Sequence, residues 1–164
     1  MEKKQKKISK QQALDRLMWI CSRGEKCKSD LLKKLKDWNV DEEHWNTLLE
    51  QLEKEKFLDE ERFTGYYVRD KIRFNKWGRG KISFQLKLKQ IPETIVNNAL
   101  QEFDDEEYYL MLKEEVIRKR LKTSGKNQWD IKSKVLRFAQ SRGYEYELVN
   151  DIIDNLANED RDNI

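Results

Sequence analysis

The residues best placed to do chemistry crowd into one short stretch. Arg69, Arg73, Lys76, Arg79 and Lys81 surround the run Trp77-Gly78-Arg79-Gly80, and Asp70 is the sole acid among them. Over residues 69–89 eight bases face that one acid, a local charge of +7. Cations at this density attract an anionic partner, and an exposed indole beside them would add an apolar anchor. The same residues also suit a solvated helix face, with Trp77 packed as a cap over a turn. A second basic block holds Arg118, Lys119, Arg120, Lys122 and Lys126 without an acid between Ile117 and Lys126. Residues 41–61 carry nine acids against two bases, a charge of −7, so the net +3 of the whole chain hides a bipolar molecule.

Catalytic chemistry finds no comparable cluster. His44 is the single histidine, which rules out a metal centre or nucleophile–base pair built on two histidines. Cys21 and Cys27 lack a metal-ligand spacing and a nearby histidine; a disulfide between them stays open, but they read as reduced thiols. The glycines at 78 and 80 follow a helical pattern and lack the third glycine of a dinucleotide fingerprint, and no phosphate-loop motif occurs. These features describe a binding protein, not an enzyme, with no cofactor and no metal. The longest apolar runs, Leu17–Cys21 and Tyr108–Leu112, are five residues. That is far short of a membrane span or a signal core, so a soluble cytoplasmic protein is expected.

The elements that must hold these residues emerge from an internal repeat. Leu31, Leu35, Val40, Trp45, Leu48, Leu49 and Leu52 recur 51 positions later as Ile82, Leu86, Ile91, Val96, Ala99, Leu100 and Phe103. A further shift of 53 gives Val135, Ala139, Tyr144, Val149, Ile152, Ile153 and Leu156. This spacing describes two amphipathic helices joined by a tight turn. A third helix precedes each pair, with stripes at Ala13, Leu14, Leu17, Met18 and Cys21; at Phe63, Tyr66, Tyr67 and Phe74; and at Tyr108, Leu112, Val116 and Leu121. Nine helices are expected near 9–22, 28–37, 42–55, 60–75, 79–90, 92–103, 105–123, 127–142 and 145–157. Asp41, Asp59 and Asp104 read as N-caps, Pro92 as a first helical residue, and Gly143 as a left-handed helix end.

The fold class is therefore all-α: three tandem three-helix repeats over 10–57, 58–103 and 104–157, forming an elongated array, straight or curved. A basic tail spans 1–9, and an acidic tail spans 158–164 and is expected to fray. With one proline and six glycines in 164 residues, hairpin turn chemistry is scarce and an all-β fold is excluded. Charged residues make up 40% of the chain and apolar ones 37%, at a mean hydropathy of −1.00, so each unit has only a thin core. Thin units gain stability by stacking.

Phe57-Leu58-Asp59-Glu60-Glu61-Arg62-Phe63, with Tyr67 a turn later, resembles the central signature of the RecX regulatory proteins. The run Arg73 to Ile91 resembles that family's next block, where an Arg-rich helix end and a glycine turn lead into I-x-x-x-L. The resemblance covers roughly residues 10 to 157. It implies three tandem three-helix repeats and a bacterial cytoplasmic modulator of the RecA recombinase in homologous recombination, DNA repair and the SOS response. Such a protein docks along the groove of the RecA nucleoprotein filament and restrains its ATPase, strand-exchange and coprotease activities. By position, Asp59, Glu60, Phe63, Tyr67, Gly78, Ile82 and Leu86 fall on the signature blocks and mainly hold the fold. Arg69, Arg73, Lys76, Trp77, Arg79, Lys81, Arg118, Arg120 and Lys122 are the candidate partner contacts. The chain carries Lys where the family often has Arg, and a lysine lacks the planar fork for bidentate contacts. The competing reading is a direct DNA binder with helix-turn-helix-like units, and weak binding to single- or double-stranded DNA stays open beside filament docking. A monomer is expected.

Overall fold

The computed structural model describes residues 7–162. Its helices are α1 (Lys10–Ser22), α2 (Lys28–Asp37), α3 (Trp45–Lys54), α4 (Glu60–Arg73), α5 (Arg79–Leu88), α6 (Glu93–Glu102), α7 (Asp105–Lys122), α8 (Gln128–Arg142) and α9 (Tyr146–Asp162). No strand occurs among the described residues. Consecutive triplets pack together as three units, α1–α3, α4–α6 and α7–α9. Of the 21 repeated apolar positions, 18 are buried, and Trp45, Ala99 and Leu156 are half-buried.

The repeat has a local physical cause. The second helix of each unit ends in a left-handed residue at an equivalent position: Asn39 (φ 53°), Gln90 (φ 60°) and Gly143 (φ 80°). The next residue then donates its N–H back across the helix end, Val40 to Leu35, Ile91 to Leu86 and Tyr144 to Ala139, at 3.0–3.1 Å. The side chains of each pair are the apolar residues that define the period. This arrangement is a Schellman stop with its hydrophobic clasp, repeated three times.

Starts are less uniform. Asp59 and Asp104 accept from the N–H groups of Arg62 (3.0 Å) and Glu107 (2.7 Å), as expected of N-caps. Ser9 and Gln12 form a full capping box, and Asn127 caps α8 through the Asp130 N–H. Asp41 does not cap. Its carbonyl instead starts a 3-10 turn over Glu42–His44 that leads into α3. Pro92 sits one position before α6 and not inside it.

Other expectations need correcting. Leu121 and Phe74 are 81% and 79% exposed, since α7 and α4 end beyond the reach of their cores. Tyr66 is also exposed; Val68 and Ile72 complete the α4 stripe instead. The segment 158–162 continues α9, so the acidic end does not fray there; 163–164 and most of the basic tail, residues 1–6, lie outside the described residues. Leu58, placed by the sequence at the start of the second unit, packs in the first core.

Two cores result. One gathers Ala13, Leu14, Leu17, Leu31, Leu35 and their neighbours in the first unit. The other runs without a break through the second and third units, from Phe63 to Ile153. The accessible surface is 11554 Å², against about 8,700 Å² for a compact protein of this mass. The array is thin.

The second and third units meet main chain to main chain. Gly78 donates to the Arg142 carbonyl (2.7 Å) and Gly80 to the Gly143 carbonyl (3.0 Å). A Cβ at Gly78 would collide with the Gly143 carbonyl, and one at Gly143 with the Lys81 amide. Gly78 itself has extended φ (−83°), so close approach and not turn conformation demands a glycine there. Gly143→Ala is therefore expected to cost about 2–3 kcal/mol in urea unfolding, from the combined clash and left-handed backbone. Gly24→Ala, with open space around it, should change stability by less than about 0.5 kcal/mol.

Candidate docking surface

The contact between these glycine turns decides where the predicted cations go. Arg73 is not free. Its guanidinium forms a two-point pair with Glu107 of α7 (2.7 and 3.1 Å) and lies over the Phe103 ring. Arg79 pairs with Asp105 (2.5 Å), reaches Glu145 (3.7 Å) and stacks on Tyr108 at 3.9 Å from the ring centre. The acids missing near these arginines in the sequence come from the third unit. Both arginines thus fasten one repeat to the next.

A buried relay accompanies them. Tyr108 accepts from the Arg79 N–H (3.0 Å) and donates to Glu145 (2.6 Å). Burial, then the bond to Glu145, pushes the Tyr108 phenol far up. Burial and the nearby Glu115 carboxylate do the same to Tyr144. Both hydroxyls remain donors at any physiological pH, and Tyr144 uses its proton on the Lys76 carbonyl (2.6 Å).

What remains on the outside is a seam of bases and rings. Lys71 and Lys81 both lie over the Trp77 indole, at 4.7 and 4.6 Å. Lys119 and Arg142 lie over Phe138, at 5.3 and 5.2 Å. The two groups are stitched together where Arg142 donates to the Asn75 carbonyl (2.9 Å) and Phe138 meets Tyr144 edge-on (6.3 Å). Lys76, beside Trp77 in the chain, is half-buried, and none of these five cations is within ion-pair distance of an acid among the described residues. Trp77 is half-buried, packed over the turn and not free as an anchor.

The remaining candidates scatter. Arg69 lies over Tyr66 (4.7 Å), Arg118 pairs with Glu115, and Arg120 with Asp160 (3.0 Å). Lys122 is exposed at the end of α7. Phe63, Ile82 and Leu86 are core residues, Tyr67 is half-buried, Asp59 caps α4, and Glu60 accepts from the Lys28 N–H (3.2 Å). Sequence reasoning missed Lys71 and Arg142 as members of the seam, and Lys119 and Phe138 with them. Lys119 belonged to a basic block already visible, but no spacing ties it to Trp77. Asp41, Glu43 and His44 come together as possible metal ligands, yet all sit on the surface around one turn. Among the described residues, no helix is long and apolar enough to cross a membrane.

Comparison with known proteins follows the same division into units. A family model described as RecX, second three-helix domain, matches residues 59–100, and one described as RecX, third three-helix domain, matches 106–153. The regulatory protein RecX of Clostridium tetani is 30% identical over 153 residues, covering 82% of this chain and 69% of that protein. The Clostridium perfringens counterpart is 29% identical and covers 81% of this chain; the match spans 63% of that relative's length. A crystal structure of a regulatory protein RecX superposes with a TM-score of 0.82 at 24% identity, over 88% of this chain and 73% of the other.

The two kinds of cation should separate by mutation. Arg79→Ala removes a base from the Asp105–Glu145–Tyr108 cluster and is expected to lower stability by about 1–3 kcal/mol in urea unfolding. Lys81→Ala, on the seam, should stay within about 0.5 kcal/mol of the unmodified chain.

Proposed function

The chain belongs to the RecX family, and from that premise we propose that it regulates RecA by docking on the RecA–DNA filament through the seam around Trp77 and Phe138. The observation that carries this reading is the set of Lys71, Lys76, Lys81, Lys119 and Arg142, unpaired and held along one edge of the rigid second and third units. A filament of protein on DNA is a long anionic track, and a thin array suits a groove. Steering by unpaired rim cations raises association rates and depends on salt. In this reading the protein works by occupancy and not by catalysis, in the cytoplasm where the filament forms, and it restrains the filament's ATPase, strand exchange and coprotease action.

Arg73 and Arg79 have no direct part in docking here, because their charges already answer acids of the third unit. A substitution that includes them would disturb the joint and confuse stability with binding. The clean test replaces Lys71, Lys76, Lys81 and Lys119 together by Gln. Helicity and unfolding midpoint should stay close to those of the unmodified chain. Co-sedimentation with RecA filaments at low salt should weaken by about tenfold or more, and the difference should shrink as salt rises. Binding to naked single-stranded DNA should fall less. Equal losses on filament and naked DNA would instead favour a direct nucleic-acid binder, and unchanged filament binding would remove the seam from the interface.

A further inference from the structure

The two joints of the array are built differently. Across the second, one apolar core continues, α4 packs on α7 and α5 on α8. Across the first, the cores are separate, and among the described residues no pair of helices packs at length. Cys27 is the first-unit residue that reaches into the second core, fully buried at the start of α2. The joint is otherwise polar. Arg62 of α4 pairs with Glu25 (2.6 Å), Lys89 after α5 pairs with Asp30 (3.0 Å), and Glu60 accepts from the Lys28 N–H.

Three further observations belong to this joint. A cleft of about 430 Å³ opens there, lined by Cys21, Glu25, Phe63, Tyr66, Tyr67 and Asp70 among others. The Glu25 Oε2 atom is buried without a hydrogen-bond partner, so the closed joint leaves one acceptor unsatisfied. Lys56 (φ 61°) ends α3, and Phe57 and Leu58 both donate back to the Leu52 carbonyl, so the first unit continues up to Leu58 and the link to α4 is a single step. A polar joint with little shared apolar area opens at lower free energy than the cores on either side.

We infer that the array bends at this first joint, the first unit swinging as a body about the Leu58–Asp59 link, with the Arg62–Glu25 and Lys89–Asp30 pairs as its latch. Burial works against the Asp30 carboxylate, but the Lys89 ammonium and the bonds with Cys27 outweigh it and hold its pKa below the usual range. Burial likewise works against the Lys89 ammonium, and Asp30 outweighs it and raises that pKa. The depressed carboxylate contributes stability above its ordinary pKa of about 4, lost as pH falls. The raised ammonium contributes below its ordinary pKa of about 10.4, lost only as pH climbs past it. The latch is closed between those limits. Opening turns Cys27 from a buried residue into an accessible one.

That exposure makes the test, with no RecA present, so its failure leaves the docking proposal untouched. Cys21→Ser leaves Cys27 as the single thiol, and its reaction with Ellman's reagent is timed in native conditions. Arg62→Gln with Lys89→Gln should accelerate the reaction about tenfold, the change expected for losing two partly exposed ion pairs. High salt should accelerate it on the unmodified latch as well. A reference thiol at Val116→Cys, fully buried in the second core, with both natural cysteines changed to Ser, should stay slow under each change. The inference is overturned if Cys27 reacts at the same rate with and without the latch and at every salt concentration. It is equally overturned if the two thiols accelerate together, which would mean global unfolding and not bending.

Discussion

Two glycines that let one main chain lie against another organise the larger part of this molecule. Because neither Gly78 nor Gly143 has a Cβ, the start of α5 can rest on the α8–α9 turn and donate two main-chain hydrogen bonds to it. That contact fixes the register between the second and third units to within a residue. Everything lateral to it follows: Arg79 lands on the Tyr108 ring, Tyr144 reaches the Lys76 carbonyl, and Arg142 reaches Asn75. The cations around Trp77 and those around Phe138 are far apart in the chain, and this register alone makes them neighbours. The surface proposed to meet RecA is thus a by-product of how two helical units abut.

Charge gives the units their order. At its first joint the second unit offers bases, Arg62 and Lys89, to the acids Glu25 and Asp30. At its second joint it again offers bases, Arg73 and Arg79, to Asp105, Glu107 and Glu145. In these ion pairs the middle unit supplies the base at both joints, and its neighbours supply the acid. Stacking the first unit directly on the third would set acid against acid, and pairing two middle units would set base against base. Repeats that share one apolar pattern need such a device, since their apolar faces alone do not distinguish one neighbour from another. Much of the bipolar charge pattern in the chain is therefore a statement about assembly order within one molecule.

The helices were legible because their causes are local. The apolar pairs 35/40, 86/91 and 139/144 are both the period that a sequence comparison detects and the clasp that ends each second helix. Burial followed the period closely, and misses came at helix ends, where Phe74 and Leu121 continue a stripe past the core that would receive it. The surface was less legible, for a different reason. Asp70 is the one acid near Arg73 and Arg79 in the chain, and their partners lie 26 or more positions away, on α7 and just before α9. A count of charges along the chain marks them as free, whereas only the glycine contact shows that they are not. Lys71, Lys119 and Arg142 were overlooked by the same token: nothing in their own surroundings announces that they share an edge.

The residue that begins each second helix differs between the units that a neighbour covers and the one that none covers. In the first two units it is Cys27 and Gly78, an apolar thiol and no side chain at all, and the following unit covers both. In the third it is Asn127, exposed and engaged with the Asp130 N–H. An amide occupied by its own helix and facing water offers no such seat on the third unit.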